Sequence, residues 1–249
     1  MLFFALTPNT MNKPSFFLAA LCAGTLLLGS CSSDKTADTT ATDGMAMDSS
    51  ATMSGDMAGM DHSQMADGAA GASPQLVAMN EMMQKMHATK MKGNTDHDFA
   101  HHMLEHHKGA VAMADIQLRD GKDATMRRMA GQIKADQLQE ITALEAAATR
   151  LDSAPTNYKP MDPADPFTSK MKASMDGMMQ NMPKTVADPD MNFNMLMTVH
   201  HQSAVDMARA ELAHGKDTKL KEMAQMMITA QEKEIAAFKD WHNQNGDKM

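Results

Sequence analysis

The segment FAHHMLEHHKGAVAMADIQLRDGKDATMRRMAGQI, Phe99 to Ile133, aligns without a gap on FNMLMTVHHQSAVDMARAELAHGKDTKLKEMAQMM, Phe193 to Met227. The copies share a His-His pair, the following Ala-Val-x-Met-Ala, a Gly-Lys-Asp break and a Met-Ala. Upstream, AMNEMMQKM from Ala78 pairs with SMDGMMQNM from Ser174 after a slip of two residues. An internal repeat of this length forces both halves into one element order, so the fold has to be built from two equivalent units.

The spacing of apolar residues, with few β-branched runs, predicts helices. Each copy reads as a short helix, a longer helix bearing the histidines, and a third helix. Gly121-Lys122-Asp123 and Gly215-Lys216-Asp217 are the expected breaks, with glycine closing one helix and aspartate capping the next. Between the copies, Pro155, Pro160, Pro163 and Pro166 rule out a continuous helix. The expected architecture is all-α: a four-helix bundle made from two duplicated hairpins, each preceded by a shorter helix. The first repeat spans 74–150, a proline-rich crossover 151–167 and the second repeat 168–245, together one domain.

The N-terminal part reads differently. From Met11, the expected start, Lys13 and the thirteen apolar residues Phe16 to Leu28 form an export signal too short to span a bilayer, so residues 1–30 are assigned to it. Leu28-Gly29-Ser30-Cys31 resembles a bacterial lipobox, which implies a lipid anchor on Cys31 and a periplasmic or cell-surface address. Ser32 lacks the aspartate that retains such proteins in an inner membrane, so the resemblance implies the outer membrane for a Gram-negative cell. The competing reading is an ordinary secretory signal. Residues 31–73 are rich in Ser, Thr, Ala, Asp, Gly and Met, have no aromatic residue, and read as a disordered tether.

With Cys22 in the signal and Cys31 lipidated, the mature chain has no thiol to bind soft metals, which leaves thioethers and imidazoles. Methionine is plentiful, at 31 of 249 residues, and the formal charge of -8 argues against nucleic acid as a partner and mildly favours cations, naming no particular one. In the tether, Met57, Met60, His62 and Met65 are spaced like the methionine-histidine repeats of bacterial copper-resistance proteins. That resemblance points to Cu(I), with Ag(I) or Cu(II) as further ions; the bland alternative is drift in a linker.

In the helices, Phe99, Met103, Ala110, Ala114 and Gln117 share one stripe, with His106 and His107 flanking its centre and His102 and Met113 at its edge. Met197, His200, His201 and Met207 repeat the arrangement. These residues are the candidate metal ligands, although core methionines also serve as flexible filler where aromatic residues are scarce. His101 is expected to point almost opposite the stripe. On the third helices, Gln137, Glu140, Gln231 and Glu234 interrupt apolar stripes. They are candidates for orienting the imidazoles from behind, and a water-facing stripe edge is the other reading.

The paired motif Phe99, Met103, His106, His107, Ala110, Val111, Met113, Ala114, with its second copy from Phe193 to Ala208, resembles family 305 of the domains of unknown function. The likeness covers roughly residues 75–243 and implies a ferritin-like helical bundle, usually exported, with some members linked to copper handling. The expected function is extracytoplasmic, non-enzymatic copper binding for sequestration, tolerance or transfer. Two other classes compete: an envelope protein with a methionine-rich core that serves only packing or oxidant defence, and a di-iron oxidase. The oxidase requires Glu-x-x-His on two helices, and only Glu211 to His214 supplies one.

Overall fold

The computed structural model describes residues 73–246. The expected export signal, lipobox and tether, including Cys31, Met57, Met60, His62 and Met65, lie outside these residues except for Ser73, the last residue assigned to the tether, which caps the first helix. Among the described residues six helices follow one another: α1 (Pro74–Ala88), α2 (Thr95–Asp120), α3 (Ala124–Leu151), α4 (Pro166–Gln180), α5 (Pro189–His214) and α6 (Thr218–Asn245). Among the described residues there is no strand, and no helix is long and apolar enough to cross a membrane. The result is an all-helical bundle of two equivalent hairpins, α2–α3 and α5–α6, with α1 packed on α2 and α4 on α5.

Local sequence explains where the helices begin. Asn94, Asp123, Asp165, Asp188 and Asp217 each accept a backbone N–H from the first turn of the helix that follows. Such caps satisfy donors that the helix itself leaves free. Pro166, the last of the crossover prolines, opens α4 instead of breaking it, because a proline at the first helical position sacrifices no hydrogen bond.

The two hairpin glycines are required for space. Gly121 and Gly215 have φ of -68° and -62°, ordinary extended backbone. A Cβ on Gly121 would stand 2.2 Å from Gln117 Nε2, and one on Gly215 would stand 2.1 Å from Glu211 Oε1. Each glycine therefore makes room for the side chain one turn back to fold over the break. Left-handed backbone occurs instead at Gly93, φ 87°, whose carbonyl accepts from Asn157 and Tyr158 of the crossover.

The core is one cluster drawn from all six helices, and methionine fills much of it: Met79, Met86, Met103, Met113, Met126, Met197 and Met207 are all buried. Phe193 and Phe238 meet edge to face at 5.7 Å. Close approach of α1 depends on Gly109, where a Cβ would stand 2.7 Å from the Cβ of Met82. The Met82 Cβ is tied to the α1 backbone and cannot swing away as a side-chain tip would. Gly109→Val is expected to destabilise the chain by about 1–3 kcal/mol through overpacking, read as a lower thermal midpoint. A neutral substitution would show that α1 is not seated there.

Each hairpin turn is also held by a carboxylate from the other copy. Asp190, at the start of α5, accepts from the amides of Lys122 and Asp123 at 2.9 and 3.0 Å and from the Gln117 side chain. Asp96, at the start of α2, accepts from Lys216 and Asp217 at 2.7 and 2.6 Å, with Glu211 beside it. These reciprocal bonds lock α2 and α5 antiparallel, with their histidines at the same level.

Candidate metal centre

Because the His-His pairs occupy equivalent registers on antiparallel neighbours, four imidazoles meet in the middle of the bundle. His106, His107, His200 and His201 are all fully buried. His106 stacks on His200, with ring centroids 3.7 Å apart and planes inclined by 33°. His107 and His201 lie outward of them, 6.4 and 5.9 Å from their chain neighbours His106 and His200.

Hydrogen bonding fixes which nitrogens remain free. His200 Nε2 donates to the His106 carbonyl at 2.9 Å, leaving Nδ1 as the nitrogen with a lone pair. His107 Nε2 lies 2.8 Å from Glu140 Oε2, so its Nδ1 is likewise free. His201 Nε2 stands 2.9 Å from Glu234 Oε2, off the line of a well-directed bond. Nδ1 of His107, His200 and His201 and both nitrogens of His106 are buried without a partner. Leaving a buried polar atom unpaired costs roughly 1–3 kcal/mol, so this concentration needs an explanation.

Electrostatics keep the inner pair neutral. Burial holds the pKa of both His106 and His200 well below the usual histidine value, and the surrounding imidazoles push the same way. Neutral imidazole is the form that binds metal, so protons do not compete for these rings at neutral pH.

On the same two helices, Met103, Met113, Met197 and Met207 are fully buried. The four polar residues of the third helices divide into two kinds. Glu140 and Glu234, each about a quarter exposed, reach His107 and His201 from the solvent side. Gln137 and Gln231 are buried with their side-chain oxygens unpartnered. A groove between α3 and α6, lined by Met129, Gln132, Asp136, Lys233 and Glu234, leads from solvent to the Glu234 carboxylate behind His201. His102 stands apart: its Nδ1 pairs with the Asp98 carbonyl at 3.0 Å, and the imidazoles acting on it are His101 and His87.

Among the described residues, no three His, Cys, Asp or Glu side chains already converge as a metal cage. The stacked geometry accounts for this, since lone pairs lie in the ring planes and two stacked rings do not aim at one point between them. A metal ion held here would require a ring rotation, or a thioether alongside an imidazole. Sequence reasoning passed over the carboxylates Asp96 and Asp190, and it placed Gln117 on the stripe and Glu211 in the Glu-x-x-His without seeing that they face these carboxylates. The 94-residue register carried the signal, since it pairs Asp96 with Asp190 and Gln117 with Glu211. Glu211, half of the sole Glu-x-x-His, is turned to Asp96 at the hairpin break.

Fold and site together define a class: a duplicated helical bundle with paired histidines at its centre. The chain belongs to the family described as "Domain of unknown function (DUF305)", whose model matches residues 27–148 and again 96–242. No curated protein matches the chain. Solved structures with similarity include CopM in the Cu(I)-bound form, at 24% identity and TM-score 0.46, covering 60% of this chain and 96% of that one. A DUF305 fragment from Deinococcus radiodurans gives 25% identity and TM-score 0.45, covering 60% and 96%. A DUF305 protein from Streptomyces coelicolor gives 24% and 0.47, covering 63% and 96%.

Proposed function

We propose that this chain is an extracytoplasmic, non-enzymatic metal-binding protein, lipid-anchored at Cys31, that captures Cu(I) through histidine and methionine for sequestration, tolerance or transfer. The observation that carries the reading is His106. It is fully buried, it is stacked on a second neutral imidazole, and neither of its ring nitrogens has a partner. A coordinated metal would engage one such nitrogen and so lower the cost of burying it. Glu140 and Glu234 fit the part of carboxylates that set the tautomer of a ligating imidazole. Buried thioethers, with no thiol in the mature chain, favour a soft monovalent ion over zinc or magnesium. Ag(I) shares this chemistry, and the imidazoles also accept Cu(II). In the tether, Met57, Met60, His62 and Met65 would form a first capture site feeding the bundle.

One observation favours the packing alternative: the His106–His200 stack fills its space without help. X-ray absorption on Cu(I)-loaded protein, with Met57, Met60, His62 and Met65 replaced by serine, separates the two readings. The proposal expects stoichiometric copper with both sulfur and imidazole scatterers. A chain that retains no copper would favour packing, and a shell of light atoms alone would remove methionine from the site.

A further inference from the structure

Away from the four central rings, the start of α2 holds a second group of metal-ligating side chains that the second copy does not repeat. His97 is buried, and its Nδ1 lies 2.7 Å from Asp98 Oδ1. Asp98 is itself fixed by the amides of Lys92 and Gly93, at 2.9 and 2.8 Å, and by the Tyr158 hydroxyl at 2.7 Å. A carboxylate held this firmly takes the Nδ1 proton of His97 as its hydrogen bond and leaves the lone pair on Nε2. That nitrogen is buried with no hydrogen-bond partner and faces Asp152, whose Oδ1 is 3.8 Å away. His101, one turn further along α2, brings its ring centroid within 4.4 Å of that of His97. His101 and Asp152 both line an open groove with Glu145 and Thr149, so an ion arriving from solvent meets them first.

We propose that His97 Nε2, His101 and Asp152 form a surface site for a borderline divalent cation of the Zn(II) or Cu(II) type, separate from the central histidines and independent of the Cu(I) reading. Two imidazoles and a carboxylate are the donor set such ions prefer, with a coordination position left for water. Bonds of about 2.0–2.2 Å at a tetrahedral angle place neighbouring donor atoms roughly 3.4 Å apart, so the present 3.8 Å separation closes with a small rotation of the exposed Asp152 side chain. The Asp98–His97 pair supplies the carboxylate behind a ligating imidazole that orients such rings. Lys92 now holds Asp152 through its ammonium, and a metal ion has to displace it.

The duplication sharpens the assignment. In the second copy, Met191, Asn192 and Met195 stand where the first has His97, Asp98 and His101. Asn192 still pins the preceding loop, bonding Val186 in both directions at 2.8 and 2.7 Å, so loop anchoring needs no charge at this position. The carboxylate and both imidazoles are specific to the first copy, and thioethers in their place would not hold a divalent ion.

The test is Zn(II) titration of the full chain by competition with a chromophoric chelator. Wild type should bind Zn(II), with affinity lowered about tenfold or more in His101→Ala and in Asp152→Asn. Lys92→Met should bind several-fold more tightly, because the competing ammonium is gone. Met195→Ala, the control in the other copy, should bind as wild type does. His101 and Asp152 reach solvent, and unchanged thermal midpoints would show that their variants fold. Absence of Zn(II) binding by wild type, or affinity unchanged in both His101→Ala and Asp152→Asn, would overturn the proposal.

Discussion

Glu211→Gln is expected to stabilise the protein by roughly 3 kcal/mol at pH 7 and to remove most of its loss of stability toward alkaline pH. The Glu211 carboxyl is pushed up to about 9, first by burial and then by the negative charge of Asp96. The native state therefore keeps a proton that the unfolded chain releases above the ordinary value of 4.5. Between these two values the unfolded state binds fewer protons than the native one, so stability falls as pH rises, by about 1.4 kcal/mol per pH unit. Below 4.5 the term vanishes, because both states are protonated.

The other end of the bundle already contains the alternative. Gln117, at the equivalent register, donates its amide to Asp190 with no proton to hold. Glutamine at 211 would do the same for Asp96. A gain of this size corresponds to a rise in thermal midpoint of roughly 6–12 °C for a chain of this length. The reverse change, Gln117→Glu, should set a second acid against Asp190, lower the midpoint and steepen the pH dependence. Thermal unfolding of both variants between pH 5 and 9 checks the pair of expectations. An unaltered pH slope in Glu211→Gln would show that Glu211 is not the group responsible.

This contrast also shows what the sequence made legible. The repeat register was readable because histidines, glycines and apolar residues recur at a constant offset, and that determined the helix order and the central position of the His-His pairs. Asp capping of α3 and α6 was readable because the chemistry is local: the aspartate bonds amides two or three residues away. The bonds from Asp96 and Asp190 to the opposite hairpins were not readable, since they join positions about 68 and 120 residues apart whose meeting depends on α2 and α5 running antiparallel. Helical periodicity placed His102 beside His106, but it cannot say that a ring will turn to its own backbone and toward α1. Nor could it separate the part-exposed Glu140 and Glu234 from the buried Gln137 and Gln231, because three residues along a helix differ little in angle and much in depth.

The second large effect concerns the central histidines. His106 and His200 form the only stacked pair among the described histidines with both rings fully buried, and every free nitrogen of the centre lies on these two rings or their chain neighbours. Phenylalanine preserves a flat ring of similar size while removing the nitrogens. His106→Phe with His200→Phe should therefore retain the helical fold and lose Cu(I) affinity at the bundle by about 100-fold or more, since loss of partners that only orient a ligand already costs roughly 10–100-fold. Loss of buried unpaired nitrogens should also leave the apo protein at least as stable as wild type. A protein that used these rings only for packing would show the stability gain without a loss of affinity.

The most direct measurement is an anaerobic Cu(I) competition titration on the full chain with Met57, Met60, His62 and Met65 replaced by serine, comparing native His106 and His200 with the double phenylalanine variant. The account predicts tight, stoichiometric Cu(I) binding in the first and its loss in the second, with helical content equal in both. Equal Cu(I) affinity in the two chains, or none tighter than micromolar in either, would contradict it.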